Sequence, residues 1–244
     1  MKIVIFGDSI AKGLNLSKDD LSIKRLNFGF ASLLEKEYDV TNHSMFGQTL
    51  KRASDKKLFE RAIFEKEGAK EKEEAKKQNS KEDAEKNIAI IELGGNDADF
   101  VWEDVCASPE EFHISKTEPK EFSEILTKTI QSLQNAGFKV FVCSLFPINS
   151  KRYFDNVLTK KYDGEKILLF LKGDRENLYR YQESYNNILS KCVAEANATL
   201  IDFRSPLLLK TNFLEYLSDD GIHPNEKGQD FIFKEINKTI KEKG

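Results

Sequence analysis

Two short apolar runs, each cut off by glycine, constrain this chain most. Ile3-Val4-Ile5-Phe6 stops at Gly7, and Ile88-Ala89-Ile90-Ile91-Glu92-Leu93 stops at Gly94-Gly95. Neither approaches the ~20 residues needed to cross a membrane. Both are too apolar for a strand with one wet face, which would alternate, so they read as strands covered on both faces in the middle of a parallel sheet. Val40–Met45, Val140–Leu145 before Pro147, and Leu200–Asp202 suit the same sheet. Helical stretches lie near Phe28–Tyr38, from Leu50 to about Lys86, over Glu121–Ala136, over Glu176–Asn197, and from Pro224 to about Lys241. In Glu121–Ala136 the residues Phe122, Ile125, Leu126, Ile130 and Leu133 recur at helical spacing, and Gly137 ends the run as a C-terminal glycine does. Strand and helix alternate along the chain. That order predicts an α/β fold of three layers, α/β/α: a flavodoxin-like parallel sheet of about five strands with helices on both faces.

A chain of 244 residues suits one domain, 1–244, and its 18 Phe and 7 Tyr can fill a sizeable core. The 38 basic residues against 41 acidic ones leave a net charge of −3, which provides no basic face for nucleic acid. The apolar stretch at the N-terminus is too short for a signal peptide. Cys106, Cys143 and Cys192 are scattered and form neither a C-x-x-C pair nor a disulfide framework, so a reducing cytoplasm is the simplest setting. Two segments stand apart. Residues 65–87 hold 15 charged residues in 23, which predicts a solvated helix with a looped end, or less simply a docking surface. Residues 147–175 make a long connection carrying Tyr153, Phe154, Tyr162 and Phe170, either a lid or binding loop or a small helical insertion packed on the core.

In a parallel sheet of this kind, ligands bind at the carboxyl ends of the strands. Chemistry is therefore sought just after each apolar run. Ser9 follows the first, in Gly7-Asp8-Ser9-Ile10, where it also has a chance to open a helix. Serine is a weak nucleophile and needs a base beside it. His223 lies in Asp219-Asp220-Gly221-Ile222-His223-Pro224, so one tight turn can bring the Asp220 carboxylate to its ring, fixing the tautomer and stabilising the imidazolium. Asp219 is the more distant competitor. Pro224 biases His223 towards an extended backbone and pre-organises the first turn of the last helix. A tetrahedral oxyanion needs hydrogen-bond donors; the backbone of Ser9 and Gly47 and the side chain of Asn96, in Gly94-Gly95-Asn96-Asp97, are of suitable type and place. Each feature taken alone has a plain structural explanation: a cap at Asp8-Ser9, a turn at Phe46-Gly47, an Asx-turn at Asn96-Asp97, a surface Asp–His pair. His43 and His113 are expected to be structural. No cluster has metal-ligand spacing and no phosphate loop is present, so neither metal nor cofactor is called for.

Taken together and in order, Gly7-Asp8-Ser9, Gly47, Gly94-x-Asn96-Asp97 and Asp220-x-x-His223 resemble the four blocks of the SGNH (GDSL-type) hydrolase superfamily. The blocks span Gly7 to His223, almost the whole chain. Gly-Asp-Ser-Ile stands where Gly-Asp-Ser-Leu is common, an apolar exchange. The resemblance implies Ser9 as nucleophile, His223 as base and Asp220 as its orienting carboxylate. It implies an oxyanion hole from Ser9, Gly47 and Asn96, with Asp8 and Asp97 supporting loops. The expected activity is a serine esterase or acylhydrolase acting on a small-molecule, lipid or acylated-sugar ester through an acyl-enzyme. An acyltransferase using the same nucleophile, or a non-catalytic binding module on the same sheet, are the alternatives.

Overall fold

The structure is a computed structural model describing residues 1–17, 19–74 and 87–244. Side chains in the apolar runs alternate between two faces, as strand geometry requires. Along the chain come β1 (Lys2–Gly7), β2 (Leu14–Leu16), β3 (Ile23–Arg25), α1 (Phe30–Leu34), β4 (Asp39–Asn42), α2 (Leu50–Asp55) and α3 (Leu58–Glu74). Then follow β5 (Asn87–Glu92), α4 (Trp102–Ala107), α5 (Pro119–Asn135), β6 (Lys139–Cys143), and the short helices α6 (Ser150–Tyr153), α7 (Thr159–Lys161) and α8 (Gly164–Phe170). The chain ends with α9 (Asn177–Glu195), β7 (Thr199–Ile201), α10 (Arg204–Leu208) and α11 (Glu226–Lys243).

Five strands form one parallel sheet in the order β4-β1-β5-β6-β7. Phe6, Ala89, Ile91, Val140 and Val142 turn to the face covered by α2, α3, α5 and α9. Ile3, Ile5, Ile88, Ile90 and Phe141 turn to the face covered by α1, α10 and α11. This is the three-layer α/β/α arrangement that the apolar runs predict. From β1 the chain passes to β4 on one side and then to β5 on the other. The strand order therefore reverses at β1, and the crevice at the carboxyl ends of β1 and β5 is where such sheets take ligands. Among the described residues, no helix is long and apolar enough to cross a membrane.

The elements differ from the sequence expectations in several places. The strand expected over Val40–Met45 spans only Asp39–Asn42, although the chain beyond it stays tied to β1, with the His43 N–H on Ile5 O and the Met45 N–H on Gly7 O. The helix from Leu50 is two helices, broken at Lys57, which takes a left-handed backbone (φ 55°). The break lets Leu50 and Ala53 of α2 and Phe59 and Ala62 of α3 all reach the same core. Of the charged segment 65–87, residues 65–74 continue α3 and residues 75–86 lie outside the described residues. Ser9 opens no helix; the chain turns back there and forms the antiparallel pair β2–β3. The last helix begins at Glu226 with Asn225 as its cap, two residues after Pro224, because the Asn225 side chain takes the Gly228 N–H.

Residues 147–175 are mostly helical. Tyr153, Phe154, Leu158 and Ile167 pack against Phe100 and Trp102 in a separate apolar cluster beyond the carboxyl edge of the sheet. Phe141, fully buried on β6, tests the packing. Phe141→Ala is expected to lower the unfolding free energy by about 3–5 kcal/mol, read by urea denaturation. A loss below about 1 kcal/mol would contradict this placement of the core.

Candidate active site

β1 carries Ser9 to the carboxyl edge. Beyond Gly7 the chain turns tightly, with the Gly13 N–H on Ile10 O at 3.0 Å and the Leu14 N–H on Ser9 O at 2.9 Å. The turn presents Ser9 Oγ to His223 Nε2 at 2.9 Å, and both residues are buried. The other ring nitrogen, Nδ1, stands 2.8 Å from Asp220 Oδ2. With Nδ1–H donating to that carboxylate, Nε2 is left as the acceptor for the Ser9 hydroxyl.

The turn that carries Asp220 and His223 is closed by its own backbone. The Ser218 N–H bonds His223 O at 2.8 Å and the Gly221 N–H bonds Ser218 O at 3.1 Å. Gly221 has φ 76°, and a Cβ there would lie 2.6 Å from Arg152 Cβ and 2.7 Å from the Tyr153 nitrogen. Only glycine lets this turn dock on α6, where the Asn149 N–H bonds Gly221 O at 2.7 Å. Asp220 is fully buried and accepts from the backbone N–H groups of Ile222, His223 and, across the site, Leu16 of β2. Burial alone would raise its pKa. The His223 ring and the backbone donors outweigh that and hold the carboxyl below its ordinary value. Asp219 does not meet the ring; its carbonyl takes the Asn156 side-chain amide.

The Gly47 loop is tied to the same edge. The Met45 N–H and the Gln48 side-chain amide both bond Gly7 O, and Asn96 Nδ2 reaches Gln48 O at 3.2 Å. Phe46, next to Gly47, lays its ring 6.4 Å from that of His223. Among the described residues, neither the Ser9 nor the Gly47 N–H has a protein acceptor. The Asn96 amide is engaged: besides Gln48 O, it donates to Asp8 Oδ2 at 2.8 Å. Asp8 also takes the Ile10 N–H at 2.8 Å. Burial pushes the Asp8 carboxyl up to about 6, against the pull of these bonds and of His223. Asp97 caps the start of α2, accepting the Leu50 N–H at 2.9 Å and the Thr117 hydroxyl at 2.6 Å; burial raises its pKa too.

Glu92, the last residue of β5, is a buried carboxyl at the same edge that the motif reading passes over. Its Oε2 accepts the Asp8 N–H at 3.3 Å, and burial, then the neighbouring Asp8, push its pKa well up. The sequence does carry a signal for it, since Glu92 is the one charged residue in a central strand whose other buried residues are apolar. From Ser9 a cleft of about 730 Å³, including its mouth, runs between the 147–175 segment and α9, walled by Phe100, Ile148, Tyr153, Leu178, Tyr181 and Ile222. His43 and His113 stand away from Ser9. His43 stacks on Phe6, and His113 packs edge-on against Phe170 with its Nε2 2.9 Å from Ser108 O. Among the described residues, no group of three or more His, Cys, Asp or Glu side chains is placed to hold a metal.

A serine, a histidine and a carboxylate in a line, beside unengaged N–H groups and an apolar cleft, can activate a hydroxyl and receive an oxyanion. Comparison with known proteins agrees in kind. No curated protein matches the sequence. A lipase/acylhydrolase from Enterococcus faecalis superposes with a TM-score of 0.61 at 18% identity, over 99% of this chain and 95% of that one. A GDSL-like lipase from Bacteroides thetaiotaomicron gives 0.60 at 13% identity, over 99% and 88%. The acetyl xylan esterase AlAXEase gives 0.54 at 18% identity, over 98% and 100%. At these identities the likeness is one of fold. The sequence itself matches the GDSL-like lipase/acylhydrolase family over residues 5–231, and the chain belongs to that family of ester-cleaving serine hydrolases.

Proposed function

We propose that the protein is an esterase or acylhydrolase that cleaves carboxylic esters with an apolar acyl group through an acyl-enzyme on Ser9. The observation that carries this reading is the line of contacts from Ser9 Oγ to His223 Nε2 at 2.9 Å and from His223 Nδ1 to Asp220 Oδ2 at 2.8 Å. His223 takes the hydroxyl proton as Ser9 Oγ attacks the ester carbonyl. Asp220 holds the ring and stabilises the imidazolium that forms. The oxyanion is met by the Ser9 and Gly47 N–H groups, and Asn96 turns an amide hydrogen from Asp8 to join them. His223 then gives its proton to the departing alcohol. A water, activated by the same ring, releases the acid and restores Ser9.

The apolar walls beside Ser9 support an acyl group that is itself apolar, since burying each methylene there favours binding by about 0.8 kcal/mol. A cytoplasmic setting is in keeping with the free thiols of Cys106, Cys143 and Cys192.

On p-nitrophenyl esters, Ser9→Ala is expected to lower kcat at least about 1,000-fold with KM little changed. A variant within tenfold of wild type would overturn the reading. Asp220→Asn removes the acceptor that fixes the His223 tautomer, and its kcat is expected to fall about 1,000-fold or more; a smaller loss than tenfold would assign Asp220 a packing role only. Leu178→Trp fills the cleft. It is expected to lower kcat/KM for the octanoate ester at least about tenfold while the acetate ester stays within threefold. Equal losses on both esters would place the acyl group elsewhere.

A further inference from the structure

Glu92 has no part in the steps above, yet it sits under the turn that makes them possible. It pairs in register with Gly7 across β1 and β5. A Cβ on Gly7 would lie 2.9 Å from Glu92 Oε2, 2.8 Å from Ala11 Cβ and 2.8 Å from Ser44 Oγ. Glycine at position 7 thus leaves the space that the Glu92 carboxyl enters. There the carboxyl accepts the Asp8 N–H, the amide immediately before Ser9, at 3.3 Å. The Ile10 N–H, immediately after Ser9, goes to the Asp8 carboxylate at 2.8 Å. Between these two engaged amides the Ser9 N–H has no acceptor among the described residues.

We propose that Glu92 is a positioning residue for the reaction: by accepting the Asp8 N–H directly before Ser9, in the space that Gly7 leaves, it sets the turn so that the Ser9 N–H points at the oxyanion. The inference rests on the reading of Ser9 as nucleophile. Burial and the neighbouring Asp8 favour the neutral carboxyl. A neutral acceptor suits the role, because it holds the Asp8 amide without placing a negative charge beside the developing oxyanion. A glutamine has the same reach and neutrality. An aspartate keeps the carboxyl but is one methylene too short to reach the Asp8 amide.

The test uses the full chain, with Glu92→Gln, Glu92→Asp and Glu92→Leu compared on a p-nitrophenyl ester and in fluorophosphonate uptake, folding being followed by thermal melting. Glu92→Gln is expected to stay within about threefold of wild type in kcat. Glu92→Asp is expected to lose about 100-fold in kcat with KM within about twofold, the cost of misplacing a reacting group by about 1 Å. Glu92→Leu, if it folds, is expected to lose at least as much; if it does not, the contrast between aspartate and glutamine decides. Aspartate and glutamine variants that both match wild type, or that both lose activity equally, would overturn the inference while Ser9 remained the nucleophile. A folded wild type that neither hydrolyses the ester nor takes up the fluorophosphonate would overturn the nucleophile reading and this inference with it.

Discussion

The contact between Ser9 Oγ and His223 Nε2 joins residues 214 positions apart. It holds only if the end of the first strand and the turn before the last helix are fixed at one sheet edge. The structure fixes each from more than one side. Ser9 stands on a turn anchored below by Glu92 and beside by Asp8. The Asp220–His223 turn leans on α6 through Gly221 and reaches back to β2 through Leu16. The strand order explains why the Ser9 turn meets the Asn96 loop: β1 lies where the order reverses, so the loops after β1 and β5 open to the same crevice.

Four carboxyls are buried at this edge, and they are not equivalent. Asp220 receives the His223 ring and three backbone N–H groups, which keep it ionised despite its burial. Asp8, Asp97 and Glu92 are all pushed up by burial, with fewer or weaker donors to offset it. The edge therefore concentrates its negative charge on Asp220, beside the His223 ring. Around Ser9, burial shifts Asp8 up to about 6 and Glu92 well up, so Glu92 is the carboxyl there held towards its neutral form. Environment alone divides the roles among chemically similar groups.

The frame of the molecule was legible in the sequence wherever a local pattern decides the outcome. The runs at Ile3–Phe6 and Ile88–Leu93 fall within or against the central strands β1 and β5, because continuous apolar sequence has no other stable home. The Asp220-x-x-His223 spacing placed a carboxylate on the ring because one turn spans it. What was not legible depends on tertiary contact. The β2–β3 pair has no apolar pattern of its own, yet Leu16 supplies a donor to Asp220. The break at Lys57 serves the burial of two helices, which no local spacing announces. The capping of α2 by Asp97 joins residues 47 positions apart, and only the fold reveals it. Glu92 is the instructive case. Its signal, a lone charge in a buried strand, was present in the sequence, but its meaning needed the space left by Gly7.

The central claim is that Ser9, and no other residue, is the group that attacks. Peptide mass mapping after treatment of the full chain with a fluorophosphonate tests it most directly. The account predicts a single phosphonyl group on the peptide carrying Ser9, suppressed when an ester substrate competes. A phosphonyl group on any other residue, with the Ser9 peptide unmodified, would contradict it.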